Sequence, residues 1–221
     1  MVPRMVLARD RVLGCGMRPW MTALVPWTTL LTLLLGAFPA HGQLNGSFRD
    51  SLRGQLETTA DPIARLAPLT EMAWSYLFSE EALPYLEELD SLTTMLENNP
   101  DHRVRTNVLS VRSGVFYQRG YQAKFRRRIA EAQKDFREAM RYADLAKDTL
   151  AMANGMNALG VSYVALRMPE QALHWYEKEL ALVLSNSKKP AMYTAQIRQH
   201  KADALMQLGR FDEAQDQLAA C

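Results

Sequence analysis

From Pro62 onward, apolar residues recur three and four positions apart, and short polar breaks divide the chain into stretches of similar length. That period belongs to helices with one buried face. It predicts helices at about 62–78, 80–97, 102–119, 125–147, 149–166, 169–185, 190–208 and from 211 to the end. Pro62, Pro169 and Pro190 stand at helix starts, where a missing N–H costs nothing. No stretch alternates β-branched and polar residues, and Asn45-Gly46 is a hairpin-type dipeptide early in the chain. The segment 44–60 is polar and carries no clear period. The expected fold class is all-α, built from antiparallel helix pairs.

The pairs repeat. Ala132, Phe136 and Ala139 place a small residue before an aromatic on one helix face, and Ala172 with Tyr176 does the same 40 residues later. Ala214 follows after another 42, preceded by Gly209, Phe211 and Glu213. Ala82, with Leu86 and Leu89 behind it, is a looser early member. The preceding helix has its own signature, clearest in Leu159-Gly160-Val161-Ser162-Tyr163. Gly160 lets two helices approach, Tyr163 fills the adjacent groove, and Ala172 receives the contact.

These residues resemble the tetratricopeptide repeat (TPR) family, whose signature is W-x2-L-G-x2-Y, then A-x3-F, then P. Leu159, Gly160, Tyr163, Ala172 and Tyr176 match at the right spacing. Gly114, Tyr117, Ala132 and Phe136 are read as the copy before, and Ala202, Leu205, Gly209, Phe211 and Ala214 as the copy after. Met72, Ala73 and Tyr76 with Ala82 suggest a first copy, so the resemblance spans about 62–221. Met156 replaces the usual Trp, Ser113 and Lys201 replace the Leu, and the closing Pro is missing. The repeats exceed the common 34 residues, and Tyr121 to Arg128 reads as extra chain between the helices of the second copy. The resemblance, to exported bacterial-type members with long repeats, implies a right-handed α-solenoid that binds proteins.

Residues 1–42 differ in character. Arg4, Arg9, Arg11 and Arg18 precede an apolar run from Trp20 to Phe38, closed by Ala40-His41-Gly42-Gln43. A basic start, an apolar middle and small residues before a cut describe a secretory signal peptide, so cleavage after Gly42 and an exported, periplasmic or secreted protein are expected. Residues 21–40 are also about long enough to stay as a membrane anchor. Met1, Met17 and Met21 are all candidate starts. Segment 43–61 follows as a polar lead into the repeat domain, 62–221.

Composition adds exclusions. The 221 residues are 48% hydrophobic and 23% charged, too apolar for a disordered tail. Lys and Arg total 26 against 24 Asp and Glu, and removal of the leader leaves 22 against 23. So near-neutral a chain argues against nucleic acid as partner. Cys15 and Cys221 offer neither a disulfide framework nor a zinc site. His102, His174 and His200 stand apart, and no phosphate loop or nucleophile motif is present, so no metal, cofactor or catalytic residue is assigned. Among the paired acids at 80–81, 87–88 and 90, Glu80, Glu81, Glu87 and Asp90 read as the solvated side of a helix.

Binding is expected on the concave face, lined by the first helix of each pair. Its phase selects Arg112 and Arg119 in one copy, Asn154 and Asn157 in the next, and Gln196, Gln199 and Asp203 in the last. A ladder of amides suits an extended peptide backbone, and an arginine suits a carboxylate. A second candidate, for anions, is the run Lys124, Arg126, Arg127 and Arg128 around Phe125. Phe211 to Cys221 gives about three turns with no capping helix after it, so either self-association there or a continuing chain is expected. The favoured role is a non-catalytic peptide-binding scaffold. The alternative is the sensory region of a membrane signalling protein whose kinase, cyclase or transcription-regulator output lies elsewhere.

Overall fold

A computed structural model describes residues 46–76, 79–186 and 190–220. The expected leader lies outside them. Helix α1 spans 46–58, and α2 (Pro62–Ser75) leads through a 3-10 turn at Glu80–Ala82 into α3 (Leu83–Leu96). Then follow α4 (His102–Phe125), α5 (Ile129–Ala146), α6 (Thr149–Ala165), α7 (Pro169–Asn186), α8 (Pro190–Gln207) and α9 (Phe211–Ala219). Among the described residues there is no strand.

Short polar side chains start several of these helices by satisfying otherwise orphaned N–H groups. The Asp61 carboxylate accepts from the Ala64 N–H at 2.9 Å, that of Asp101 from Arg103 at 2.7 Å, and that of Asp148 from Ala151 at 2.9 Å. Helix ends are equally regular. Arg127, Lys147, Arg167 and Gly209 all have left-handed φ, between 56° and 73°. One residue later, the N–H groups of Arg128, Asp148, Met168 and Arg210 reach back five positions to Ala123, Ala143, Tyr163 and Leu205 carbonyls at 2.8–3.0 Å. This is the Schellman stop. Only Gly209 adopts the conformation without a Cβ penalty, so Arg167→Gly is expected to raise stability by up to about 1 kcal/mol, read as a shift in the urea midpoint.

Three sequence expectations change. The polar segment is helical in its centre: α1 buries Leu52, and Arg49 lies 4.7 Å over the Tyr76 ring. The end of α1 is tied down by Arg65, which donates to the Leu56 and Thr59 carbonyls and to Glu88 of α3. Next, α4 runs to Phe125 and not 119, and α5 starts at Ile129. Tyr121–Phe125 therefore continues the first helix of the pair, and only 126–128 form the turn. Last, Phe211 is 67% exposed at the start of α9, so it packs no repeat, whereas Ala214 is buried as expected.

The register of the second copy moves with that longer helix. A Cβ at Gly120 would stand 2.5 Å from the Phe136 ring, and one at Gly160 would strike the Tyr176 ring still more closely. Gly114 has nothing within 4 Å of such a Cβ. Gly120, not Gly114, is thus the counterpart of Gly160, 40 residues before it and 12 before Ala132, as Gly160 is 12 before Ala172. Ala202 stands 12 before Ala214 and is fully buried. The pairing follows volume. Glycine faces the aromatics Phe136 and Tyr176, while alanine serves where the position four after the second small residue is Leu218; Ala73 likewise shares a core with Leu86. Phe136, Leu159, Ala172 and Tyr176 are all buried, and Tyr163 packs against the core at its side.

From α2 on, each helix packs on the next, and the first helices also meet one another in succession, α2 with α4, α4 with α6 and α6 with α8. The second helices α3, α5, α7 and α9 form no such chain of contacts among the described residues. One rank is close and the other splayed, so the stack curves with α2, α4, α6 and α8 inside.

Candidate functional site: the inner face of the helix stack

With Gly120 in register, the inner face of α4 carries Gly114, Tyr117, Tyr121 and Lys124, at the places of Asn154, Asn157, Val161 and Val164 on α6. The same face of α2 carries Thr70 and Trp74, and that of α8 carries Gln196, Gln199 and Asp203. The contacts agree. Trp74 meets Tyr117 at 5.9 Å between ring centres, Tyr117 meets Tyr121 at 4.9 Å, and Lys124 sits 5.1 Å over the Tyr121 ring. Burial lowers the Lys124 pKa. The surface is an aromatic wall on α2 and α4 that gives way to amides on α6 and α8.

Four of the seven expected groove residues are exposed there: Asn154, Gln196, Gln199 and Asp203. Asn157 lies on the same face but is engaged. Its Nδ2 donates to the two Glu179 carboxylate oxygens at 3.1 and 3.3 Å and lies 3.0 Å from His200 Nδ1. Arg112 and Arg119 sit elsewhere. Arg112 pairs with Glu97 at 2.7 Å and lies 4.9 Å over the Tyr142 ring, and Arg119 pairs with Asp90 at 3.1 Å. Both guanidinium groups are thereby spent on α3 and its end, fastening the first pair to the second. Neither falls on the phase that Gly120 sets, which selects 114, 117, 121 and 124 on α4.

The basic run also divides. Arg126 pairs with Glu80 at 2.7 Å and Arg128 with Glu131 at 2.9 Å; Arg127 is the left-handed residue of the turn. Lys124 alone of the four belongs to the inner face. As the equivalents of Arg167 and Gly209 make the same turn, the run is explained by the repeat, and its charges are largely countered locally.

Sequence reasoning missed Glu179 altogether. It is 6% exposed, on α7, with no cation paired to it among the described residues. Burial is the main cause raising its pKa to about 7, and the Asn157 hydrogen bond opposes the rise. Burial lowers the His200 pKa, partly offset by Asp203. Tyr176, 5.5 Å from the His200 ring, is raised by burial and then by Glu179. Near neutrality Glu179 is therefore poised between its neutral and charged forms, beside an imidazole that burial biases toward the neutral form. No set of three His, Cys, Asp or Glu residues gathers to hold a metal among the described residues. Nor is any described helix long and apolar enough to cross a membrane.

No protein-family model matches the chain, and comparison with curated proteins gave no match. Solved structures do. BtubC (BKLC) from P. vanneervenii is similar at 16% identity over 86% of this chain and 74% of that one, with a TM-score of 0.58. A Q17M crystal structure of a Podosopora anserina putative kinesin light chain with nearly identical TPR-like repeats matches at 15% identity, covering 87% of this chain and 91% of that one, TM-score 0.54. A second crystal structure described in the same terms gives 16%, 86%, 91% and 0.51. At such low identity the likeness speaks to architecture alone: this chain has a TPR-like helical repeat fold.

Proposed function

We propose that this protein is an exported, non-catalytic scaffold that grips an extended segment of a partner protein along the inner face of α2, α4, α6 and α8. The observation that carries the reading is the inner surface running from exposed Trp74 and half-buried Tyr117 to exposed Asn154, Gln196 and Gln199. Rings supply contact area at little entropic cost, and free amides pair with a peptide backbone at both its donors and its acceptors. A helical repeat scaffold is what the fold supports; the peptide and the export belong to the proposal. Export rests on the Arg-led apolar run closed by Ala40 and Gly42, and a mature N-terminus at Gln43 in the native host is its expected signature.

The test is partner capture with the full chain. Asn154→Ala with Gln199→Ala removes two exposed amides that support no other side chain and should weaken partner binding ten- to a hundredfold, since each hydrogen bond contributes about 1 kcal/mol. Circular dichroism should be unchanged. Binding at the original strength would remove the inner face from consideration.

A further inference from the structure

A cavity of about 330 Å³ opens on the inner face where α2, α4 and α6 meet. Its walls are the Trp74 and Tyr117 rings, its floor is apolar with Leu86 and Leu89, and Gly114 and Gln118 line it from α4. Two of its features are unexplained by folding. Gln118 is 3% exposed, yet its Oε1 is buried without a hydrogen-bond partner. A buried acceptor to which the fold gives no protein partner is costly unless a donor reaches it from the cavity. Gly114, in the middle of a helix, relieves no clash: a side chain there would meet open space. Glycine in a helix interior is also unfavourable. Its effect is to leave the cavity open.

We infer that this cavity is a specificity pocket for an aromatic side chain carrying a hydroxyl, a tyrosine of the partner segment, with the ring packed against the paired Trp74 and Tyr117 rings and the hydroxyl on the Gln118 amide. The inference rests on the peptide-binding reading above and assigns one residue of that peptide. The chemistry selects the hydroxyl. Gln118 offers an acceptor and a donor side by side, and a phenol O–H donates to the first while its oxygen accepts from the second. An indole N–H answers only the acceptor, and a phenyl ring answers neither. An anionic ring is disfavoured, because Asp148 lies on the same cavity wall and is already satisfied by the Ser110 hydroxyl at 2.7 Å and the Ala151 N–H. Phosphorylation of the incoming tyrosine would therefore expel it.

The experiment uses the full chain and N-acetyl-tyrosinamide as probe, followed by saturation-transfer NMR with titration. Saturable binding is expected. N-acetyl-phenylalaninamide and N-acetyl-tryptophanamide should bind about tenfold more weakly, the penalty for leaving part of the amide unpaired. The O-phosphorylated probe should not compete. Gly114→Leu fills the cavity and should abolish binding, and Gln118→Met should weaken it about tenfold. Both variants should remain as helical as the parent, because leucine at 114 enters open space and methionine keeps the length of Gln118 while removing its unpaired acceptor. Equal binding of the tyrosine and phenylalanine probes, or probe binding that survives Gly114→Leu, would overturn the assignment. The groove is tested separately by the Asn154 and Gln199 variants, so the pocket can fail while the groove stands, and the reverse.

Discussion

Gly160→Val is expected to destabilise the domain by about 3 kcal/mol, the upper end of what overpacking usually costs. The new Cβ alone would strike the Tyr176 ring. That ring cannot swing aside, because Tyr176 is 1% exposed and packed in the core formed by α6, α7 and α8. Moving it means separating α6 from α7, and the displacement would pass to α8, which packs on α7. A β-branched residue adds stiffness at χ1 that prevents the side chain from turning away. Gly120→Val should behave alike against Phe136, and Gly114→Val should not, having open space ahead of it. Urea unfolding followed by circular dichroism measures all three. A Gly160 variant as stable as the Gly114 variant would contradict the packing scheme.

Glu179→Gln should stabilise the protein at pH 8 by up to about 3 kcal/mol and change the shape of its pH profile. The Glu179 pKa is raised to about 7 in the folded chain, against an ordinary 4.5. Between those values the folded state holds a proton that the unfolded state has lost. Stability from this group is therefore complete below about pH 4.5 and disappears as pH rises through 7. Glutamine keeps the shape, carries no charge to desolvate and can still accept from Asn157. His200 acts with the opposite sign. Its lowered pKa means that its contribution is present above its ordinary 6.5 and is lost as pH falls through the folded value. Wild type should lose stability from pH 5 to 8, with His200 blunting the slope near 6, and the variant should show only the histidine component. A wild-type profile that is flat over that range, or a variant that keeps the decline, would show that Glu179 is solvated and ionised.

How much of this was readable from the chain depends on which residue is asked. Gly160, Ala172 and Tyr176 announced their contact because a small residue and an aromatic at fixed spacing have few other uses. The helices from α5 onward followed the apolar period closely for the same reason: each has one face against a neighbour. The end of α4 was hidden because Tyr121 and Phe125 lie on the inner face, where aromatics meet solvent and one another, so the apolar period blurs. That one boundary hid the register as well: the expected glycine fell at 114 instead of 120, and the expected groove residues Arg112 and Arg119 missed the inner face. The 12-residue spacing from Gly120 to Ala132, the same as from Gly160 to Ala172, held the correction all along. Glu179 had no signal at all. A carboxylate on a helix reads as a solvated group, and only the approach of α6 and α8 from either side of α7 makes it a buried one. Similarly, α1 was illegible because it buries little beyond Leu52 and is fixed by Arg49 and Arg65 across distances that no local pattern displays.

The central proposition is that a void at one helix is matched to a ring on the next, glycine with an aromatic and alanine with leucine. A double-mutant cycle tests it most directly. Gly160→Ala alone and Tyr176→Leu alone should each cost stability, the first by collision and the second by lost contact. Together they recreate the alanine-with-leucine combination of Ala73 and Leu86, which share a core, and the double variant should be more stable than the sum of the two losses predicts by at least about 1 kcal/mol. Strict additivity in urea unfolding would mean that residues 160 and 176 do not meet, and the stacked-pair account with its inner face would fail.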